Sequence, residues 1–328
     1  MRTHLKSSVP TGILLAAALG LFCSVQAASA APNVKTFATA KDAAEAYTAA
    51  CEQQDTAALA AILGPDGNEL INSGDEVQDR RRRERFAAMA KEGLDVRPDP
   101  VETGRFLMYV GKQEWPLPIP IVQTKDGFEF DASAGKAEIL VRRVGRNELS
   151  AIEFLREFVN AELEFAYGDA NQNEVRDYAQ HIRSNPGKHD GLYWEAAEGQ
   201  PGGPLGEFMA RAQGEGYEVP ETDQPFTYRG YVFRILQGQG PNASDGARDY
   251  IVRGDMIGGF AMVAYPAEYG ASGVKTFVVN QTGVVYERDL GEKTRTIGAT
   301  MKAYNPGKNW APSPREEPGD EQAAPAKP

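Results

Sequence analysis

Oxygen-bearing side chains stand at alternate positions between residues 169 and 177. This spacing resembles a calcium-binding loop, in which side chains at positions 1, 3, 5 and 9 and a carbonyl at position 7 are ligands. The candidate ligands are Asp169, Asn171, Asn173, Val175 and Asp177. Glu174 occupies the position where that loop has glycine, and Gln180 replaces its bidentate glutamate. The sequence therefore predicts either a calcium site or a polar loop made of turn-favouring residues.

Glu162 falls between two apolar arcs of a predicted helix, where an unpaired carboxylate is costly to bury. One interpretation is an ion pair with a neighbouring arginine, and the candidates are Arg142, Arg143, Arg146 and Arg156. The other is a carboxylate whose pKa is raised by burial, so that it acts as a general acid or base. The sequence leaves both interpretations open.

A base, an acid and two aromatic side chains are gathered between residues 188 and 194, shortly after His181. The adjacent His189 and Asp190 cannot easily share one proton relay, and no serine in a nucleophile-elbow context accompanies them. The histidines also lack a cysteine partner at zinc-ligand spacing. The segment is predicted as a turn with packed aromatics, or as a sugar- or peptide-binding surface built on Tyr193 and Trp194.

A run of arginines interrupts an otherwise acidic chain. It begins with Arg80, Arg81, Arg82 and Arg83 and, after Glu84, ends at Arg85. Arginines at a helix N-terminus oppose the macrodipole, although acidic residues just before the run offset this effect. The run is predicted either to bind an anion or acidic partner, or to pair with the protein's own carboxylates.

One long amphipathic helix is predicted at residues 147–183, with Asn147 as its N-cap. Its apolar residues fall on two adjacent arcs at helical spacing, so more than half of its circumference is apolar. We therefore expect it to lie between two layers, one being the sheet that follows and the other the first domain or another copy of the chain. Three glycine-punctuated strands are predicted at 228–236, 249–266 and 274–289, with a hairpin at Gly258 and Gly259.

The first domain is predicted at residues 31–143 and the second at 144–310. Helices are expected at 40–54, 56–63 and 80–92, and extended segments at 105–110, 116–122, 128–130 and 138–143. Helices followed by a sheet indicate an α+β fold. The pattern of the first domain resembles an NTF2/cystatin-like α+β domain, and a short helix at 204–213 precedes the strands of the second.

The chain ends predict export and an unfolded tail. A basic start, an apolar run at 12–25 and a small-residue site around Ala28 and Ala30 are typical of a secretory signal peptide at residues 1–30. The proline-rich polar residues 311–328 are predicted to be disordered. Cleavage would leave Cys51 as the one cysteine of a periplasmic or secreted protein, and its thiol is predicted to be either buried or paired between chains, with burial favoured.

The composition argues against two classes of partner. The formal net charge is −11 at pH 7. A chain this acidic is a poor candidate for nucleic acid, because neutralisation of phosphates supplies most of that affinity. Anionic membrane surfaces are disfavoured for the same reason, and no segment after the signal peptide is apolar enough to span a bilayer.

Short motifs carry a resemblance to a known family. They are Leu-Gly-Pro at 63–65, Ser-Gly-Asp at 73–75, Trp-Pro-Leu-Pro-Ile-Pro at 115–120, Arg-Val-Gly-Arg-Asn-Glu at 143–148, Pro-Gly-Lys-His-Asp-Gly-Leu-Tyr-Trp at 186–194, Pro-Leu-Gly at 204–206, Gly-Phe-Ala at 259–261 and Asp-Leu-Gly at 289–291. Together they resemble the exported bacterial family called domain of unknown function 2950. This resemblance implies no established activity, so it assigns no catalytic residue.

The second domain is also similar to pseudopilin globular heads, which place a long helix before a small sheet and sometimes hold calcium. A pilin helix directly follows its leader, whereas this one begins deep in the chain, so assembly into a pilus is not expected. The sequence favours a non-enzymatic binding or structural protein of the cell envelope, with an envelope protein or a glycan as partner and a homo-oligomer possible in principle. The alternative is a hydrolase-type enzyme with a carboxylate and histidine site between the domains. Calcium is the one cofactor that the sequence indicates.

Overall fold

The computed structural model describes residues 34–196 and 202–314. Its helices are α1 (Ala40–Glu52), α2 (Thr56–Leu63), α3 (Asn68–Ile71), α4 (Glu76–Glu92), α5 (Ala132–Gly168), α6 (Gly206–Gly214) and α7 (Thr294–Thr300). Short 3-10 turns lie at Pro65–Gly67 and Gly291–Lys293. The predicted signal peptide and residues 315–328 of the predicted tail lie outside the described residues. No helix in the described ranges combines the length and the apolar character needed to cross a membrane.

The strands form two larger antiparallel sheets and several short pairings. Strands of the first sheet are β1 (Leu94–Pro98), β2 (Arg105–Val110), β3 (Trp115–Pro116), β4 (Ile121–Thr124) and β5 (Gly127–Phe130). The remaining strands are β6 (His181–Arg183), β7 (Gly191–Tyr193), β8 (Phe226–Tyr228), β9 (Tyr231–Leu236), β10 (Gly238–Gln239), β11 (Arg248–Asp249), β12 (Ile251–Val252), β13 (Asp255–Met256), β14 (Ala261–Pro266), β15 (Lys275–Asn280), β16 (Tyr286–Asp289), β17 (Ala303–Tyr304) and β18 (Ala311–Pro312). Helices combined with antiparallel sheets confirm the α+β class.

Helices α1, α2 and α4 pack on the first sheet, whose strand order is β1-β2-β4-β5 with β3 beside β2. Helix α1 begins at a capping box, in which the side chains of Thr39 and Asp42 each accept a backbone N–H of the other residue. The first hydrophobic core lies between these layers and includes Cys51, Ile62 and Met108. The buried position of Cys51 confirms the expectation for that thiol.

Helix α5 differs from its prediction at both ends. It begins at Ala132, where the Asp131 carboxylate accepts the N–H of Ala134, rather than at Asn147. Residues 138–143, expected to be extended, are therefore helical, because this stretch continues from Ala132, which packs in the first core. The helix ends at Gly168, since the next residue, Asp169, takes a left-handed conformation with φ 46°.

The second sheet has the strand order β18-β16-β15-β14-β9-β8 and packs on the C-terminal half of α5. Strands β14 and β15 are almost wholly buried, as expected for the centre of the sheet. The predicted hairpin at Gly258 and Gly259 is wrong. The chain instead turns at Arg253 and Gly254, both of which have positive φ, between β12 and β13. Strand β18, which the sequence placed in the unfolded tail, pairs with β16.

The two apolar arcs of α5 are covered within the second core. Phe154 packs against Phe233 of β9 on one side and Phe208 of α6 on the other, with ring centroids 4.5 and 4.7 Å apart. Leu155 and Phe158 are also fully buried in this core. The second side of these arcs is therefore covered by α6 and the neighbouring strand β7. The same helix also contacts the first domain, at Pro65–Gly67 and α3, as expected for a helix that lies between layers.

Candidate functional site

One cavity of the described residues is lined by arginines from three separate elements. Its volume is about 360 Å³. The lining residues are Gln78, Arg81, Arg82, Arg85, Arg143, Arg146, Asn147, Ser150 and Arg229. No acidic side chain of the described residues is among them, in a chain whose net charge is −11. The concentration of positive charge is thus local and opposite in sign to the whole molecule. We call this space the arginine cavity.

Helix periodicity brings the first five arginines together. Arg81, Arg82 and Arg85 lie within one and a quarter turns of α4, while Arg143 and Arg146 are three residues apart on α5. Helix α4 begins at Glu76, capped by the Asp75 carboxylate, and not at residue 80 as predicted. The arginine run therefore lies beyond the first turn, where the helix dipole opposes it less.

A tight turn supplies the sixth arginine. Arg229 and Gly230 join β8 to β9 with φ of 45° and 77°, the left-handed pair that a two-residue hairpin requires. A Cβ at Gly230 would lie 2.7 Å from the Asn147 side-chain nitrogen on α5. Glycine therefore lets the turn approach α5 closely, and that approach carries Arg229 to the cavity.

The arginines differ in how their charge is balanced. Arg82 forms an ion pair with Asp79, and Arg229 is 2.8 Å from a Glu215 carboxylate oxygen. Glu215 also lies 3.9 Å from Arg81. Within the described ranges, Arg85 and Arg146 have no ion-pair partner. These two guanidinium groups are available to an external anion.

Arg143 is an anchor as well as a lining residue. Its side chain is buried and donates hydrogen bonds of 2.5 and 2.9 Å to the carbonyl oxygens of Glu69 and Leu70. Burial, together with the positive charge of Arg82, lowers the pKa of Arg143 to about 10. Burial and then Arg82 likewise lower the pKa of Arg146, with further contributions from its other arginine neighbours. The guanidinium groups repel one another, and a bound anion would relieve that repulsion.

The structure divides the arginine run that the sequence singled out. Arg81, Arg82 and Arg85 line the arginine cavity. Arg80 is exposed beside Glu84, and Arg83 donates to the Gln54 side-chain oxygen at 2.6 Å. Three further lining arginines lie outside the predicted run: Arg143, Arg146 and Arg229.

The five calcium candidates lie in one loop after α5 and are bonded mainly to one another. The Asp169 carboxylate accepts the backbone N–H groups of Asn173 and Glu174, at 3.1 and 3.3 Å. Asp177 accepts from the side-chain amides of Asn171 and Asn173, and the Asn173 oxygen accepts the N–H of Val175. Across residues 34–196 and 202–314, no group of three or more His, Cys, Asp or Glu side chains is arranged to hold a metal ion.

Glu162 is fully buried next to this loop. Its Oε2 accepts the backbone N–H of Ala179 at 2.8 Å, and its Oε1 has no hydrogen-bond partner. The predicted ion pair with an arginine is wrong, because α5 directs Glu162 into the second core rather than toward the arginines. Burial raises the pKa of Glu162 well above its usual value, and the nearby Asp177 charge raises it further.

The histidine segment holds three separate local arrangements. His181 Nδ1 lies 2.7 Å from an Asp223 oxygen, and His189 stacks on Trp194 with centroids 4.2 Å apart. Asp190 accepts the backbone N–H and side-chain amide of Asn185. Burial alone would raise the pKa of Asp190, but these two hydrogen bonds, together with the nearby His181 and Lys188, lower it below its ordinary value.

A shallow cavity beside His189 and Asp190 is lined by Asn171, Gln172, Gly187 and Lys188 as well, and Glu162 is not part of it. Tyr193 is buried in the second core, while Trp194 stays partly exposed. The structure therefore does not bring Glu162, His189 and Asp190 into one cavity. It also leaves only Trp194 of the two aromatics available to a ligand.

Comparison with known proteins adds a family and nothing on chemistry. No curated protein and no solved structure matches this chain. One family model matches residues 34–312, which is most of the sequence and includes both cores and every arginine of the cavity. The chain belongs to the family described as Protein of unknown function (DUF2950).

Proposed function

We propose that this protein is a non-enzymatic binding protein whose ligand is a small molecule carrying multiple negative charges, held in the arginine cavity. The observation that carries the proposal is the set of six arginines around one cavity with no acidic lining residue among those described. Arginine presents its N–H donors as a rigid planar fork, which matches the oxygens of carboxylate and phosphate groups. The ligand class is therefore a phosphate or polycarboxylate compound.

Arg85 and Arg146 are the arginines expected to contribute to the free energy of anion binding. Neither has an ion-pair partner among the described residues, so an incoming anion displaces no internal carboxylate from them. Hydrogen bonds to charged groups each contribute about 1.5–3 kcal/mol. Arg82 and Arg229 keep their own acidic partners and add to the positive potential of the cavity.

Pyrophosphate and citrate are expected to bind the full-length protein and to raise its melting temperature, with an effect that weakens as salt increases. The double substitution Arg85→Gln and Arg146→Gln is expected to weaken binding at least tenfold, since a loss of about 1.4 kcal/mol gives that factor. Isothermal titration calorimetry measures both affinities.

The matched control removes equal charge from the same two helices outside the cavity. Arg80 and Arg142 are more than half exposed and pair with Glu84 and Glu138. Arg80→Gln combined with Arg142→Gln is expected to keep the wild-type affinity within about twofold. If the two double variants lost equal affinity for the anion, net charge rather than the arginine cavity would be responsible for binding.

Calcium binding near Glu162 is a second proposal, supported by two buried oxygens. Glu162 Oε1 and the Asn171 side-chain oxygen accept no hydrogen bond. Asp177 accepts the Asn171 side-chain amide, and its charge also acts on Glu162. Excess calcium is expected to stabilise the fold by about 2.7 kcal/mol at a hundredfold excess over Kd. Thermal melts in calcium and in chelator measure this, with Asp177→Asn as the variant that loses the difference. Equal melting temperatures of the wild type in calcium and in chelator would contradict the proposal.

The finer assignments of fold and location are part of the same proposal. The first core and its sheet are compared with an NTF2/cystatin-like domain, and α5 with the second sheet is compared with a pilin head. Their support is the order of elements: helices before a sheet, then one long helix before a meander. Export to the periplasm or medium is supported by the signal-peptide pattern at residues 1–30. The hydrolase alternative has less support, because Glu162 is buried away from His189 and Asp190.

A further inference from the structure

A second cavity adjoins the arginine cavity and differs from it in chemistry. Its volume is about 250 Å³, and it lies inside the first core between α1, α2, α4 and the start of α5. Most of its lining is apolar, and representative residues are Leu59, Leu63, Phe86, Met89, Ile119 and Ile139. We call this space the apolar cavity.

Three arginines line both cavities. Arg82, Arg85 and Arg143 belong to the wall of the apolar cavity as well as to the arginine cavity. The side chains of these three arginines therefore lie between the apolar cavity and the arginine cavity. A molecule that reaches past these arginines would place an apolar segment in the apolar cavity and negative charge in the arginine cavity.

Apart from the three shared arginines, the polar groups on the wall of the apolar cavity are neutral or already have a side-chain partner. Burial raises the pKa of the Cys51 thiol to about 12, and burial also raises the pKa of Tyr47. Asp79 forms its ion pair with Arg82, and Arg83 donates to Gln54. An apolar chain that enters the cavity would therefore not desolvate any unpaired acidic group on its wall.

We propose that the two cavities hold one ligand, an anionic amphiphile with a carboxylate or phosphate head in the arginine cavity and a single acyl or alkyl chain in the apolar cavity. This inference rests on the proposed anion-binding function and narrows its ligand class. The apolar cavity, with a volume of about 250 Å³, is smaller than most ligand pockets, which measure about 300–1,000 Å³, and this favours a medium-length chain over a long one. Decanoate and decyl phosphate are the matched probes for the two kinds of head group.

The first test measures how affinity depends on chain length in the full-length protein. Hexanoate, octanoate and decanoate are titrated below their aggregation concentrations, with decanol as the uncharged control. Each buried methylene is expected to increase affinity about fourfold until the cavity is filled. Decanoate is expected to bind at least tenfold more tightly than hexanoate, and decanol much more weakly than decanoate. A preference for decyl phosphate over decanoate would identify the head group as phosphate.

The second test separates this inference from anion binding itself. Ile139 lies at the edge of the apolar cavity and is only partly buried, so Ile139→Trp fills that space with limited disturbance of the core. The variant is expected to lose the dependence on chain length while keeping its affinity for pyrophosphate. A competition experiment on the wild-type protein does not depend on the folding of any variant. There, decanoate and pyrophosphate are expected to compete for the same site.

Three results would overturn the inference. Equal affinity for hexanoate and decanoate, with pyrophosphate still bound, would leave an anion site without a chain site. If decanol bound as tightly as decanoate, the arginines would not recognise the charged head group. Absence of both decanoate and pyrophosphate binding would remove the amphiphile together with the proposed function.

Discussion

Replacing Phe154 with alanine is expected to lower the free energy of unfolding by about 3–5 kcal/mol. The side chain is fully buried, and its ring lies 4.5 Å from that of Phe233, 4.7 Å from that of Phe208 and 5.4 Å from that of Phe226. Truncation leaves a cavity where α5 meets both the second sheet and α6. Since whole domains are stable by only about 5–15 kcal/mol, this loss is a large fraction of the total.

Leu149→Ala is the matched control, because Leu149 lies on the same helix and is 54% exposed. Its expected cost is within about 0.5 kcal/mol. Urea denaturation of both variants, followed by tryptophan fluorescence and circular dichroism, measures the difference. Similar midpoints for the two variants would contradict the assignment of Phe154 to the centre of the second core.

Helical periodicity predicted the buried face of α5 well but not its ends. The apolar arcs between residues 152 and 166 are buried because that stretch packs on both sides. The start was misplaced because Ile139, Leu140 and Val141 resemble a strand in isolation, whereas the structure keeps them helical from the Asp131 cap onward. Local propensity loses here to the packing of Ala132 in the first core. The end was extended too far because the polar residues after Gly168 still permit a helical pattern.

The arginine cavity was only partly predictable, and the reason is its origin in three distant elements. The sequence indicates Arg81, Arg82 and Arg85 because they belong to one basic run. Arg143 and Arg146 stand in one short motif, but the sequence pattern predicts a strand end and a loop there, which hides their common helical face. Arg229 gives no sequence signal at all, because its position depends on the close approach of the Arg229–Gly230 turn to α5.

Glu162→Gln is expected to change the pH dependence of stability in a defined direction. The folded protein raises the pKa of Glu162 above that of the unfolded chain, which is about 4.3. Between these two pKa values the folded state binds more protons than the unfolded state, so stability falls as pH rises. The contribution of Glu162 is therefore complete below about pH 4 and is lost as pH rises through the folded pKa.

The measurable quantity is the difference in unfolding free energy between the wild type and Glu162→Gln, taken by urea denaturation across pH in the presence of a chelator. The wild type is expected to lose up to about 1.4 kcal/mol per pH unit relative to the variant above about pH 4.3, and the difference levels off above the folded pKa.

Glu164→Gln is the control for this profile, because Glu164 is an exposed carboxylate two residues further along the same helix. Its difference from the wild type is expected to stay nearly constant with pH, because its side chain faces solvent in the folded protein. Parallel profiles for all three proteins would mean that Glu162 ionises as readily in the folded state as in the unfolded state. A slope of the opposite sign would place a compensating positive charge beside Glu162, which would restore the ion pair that the sequence first indicated.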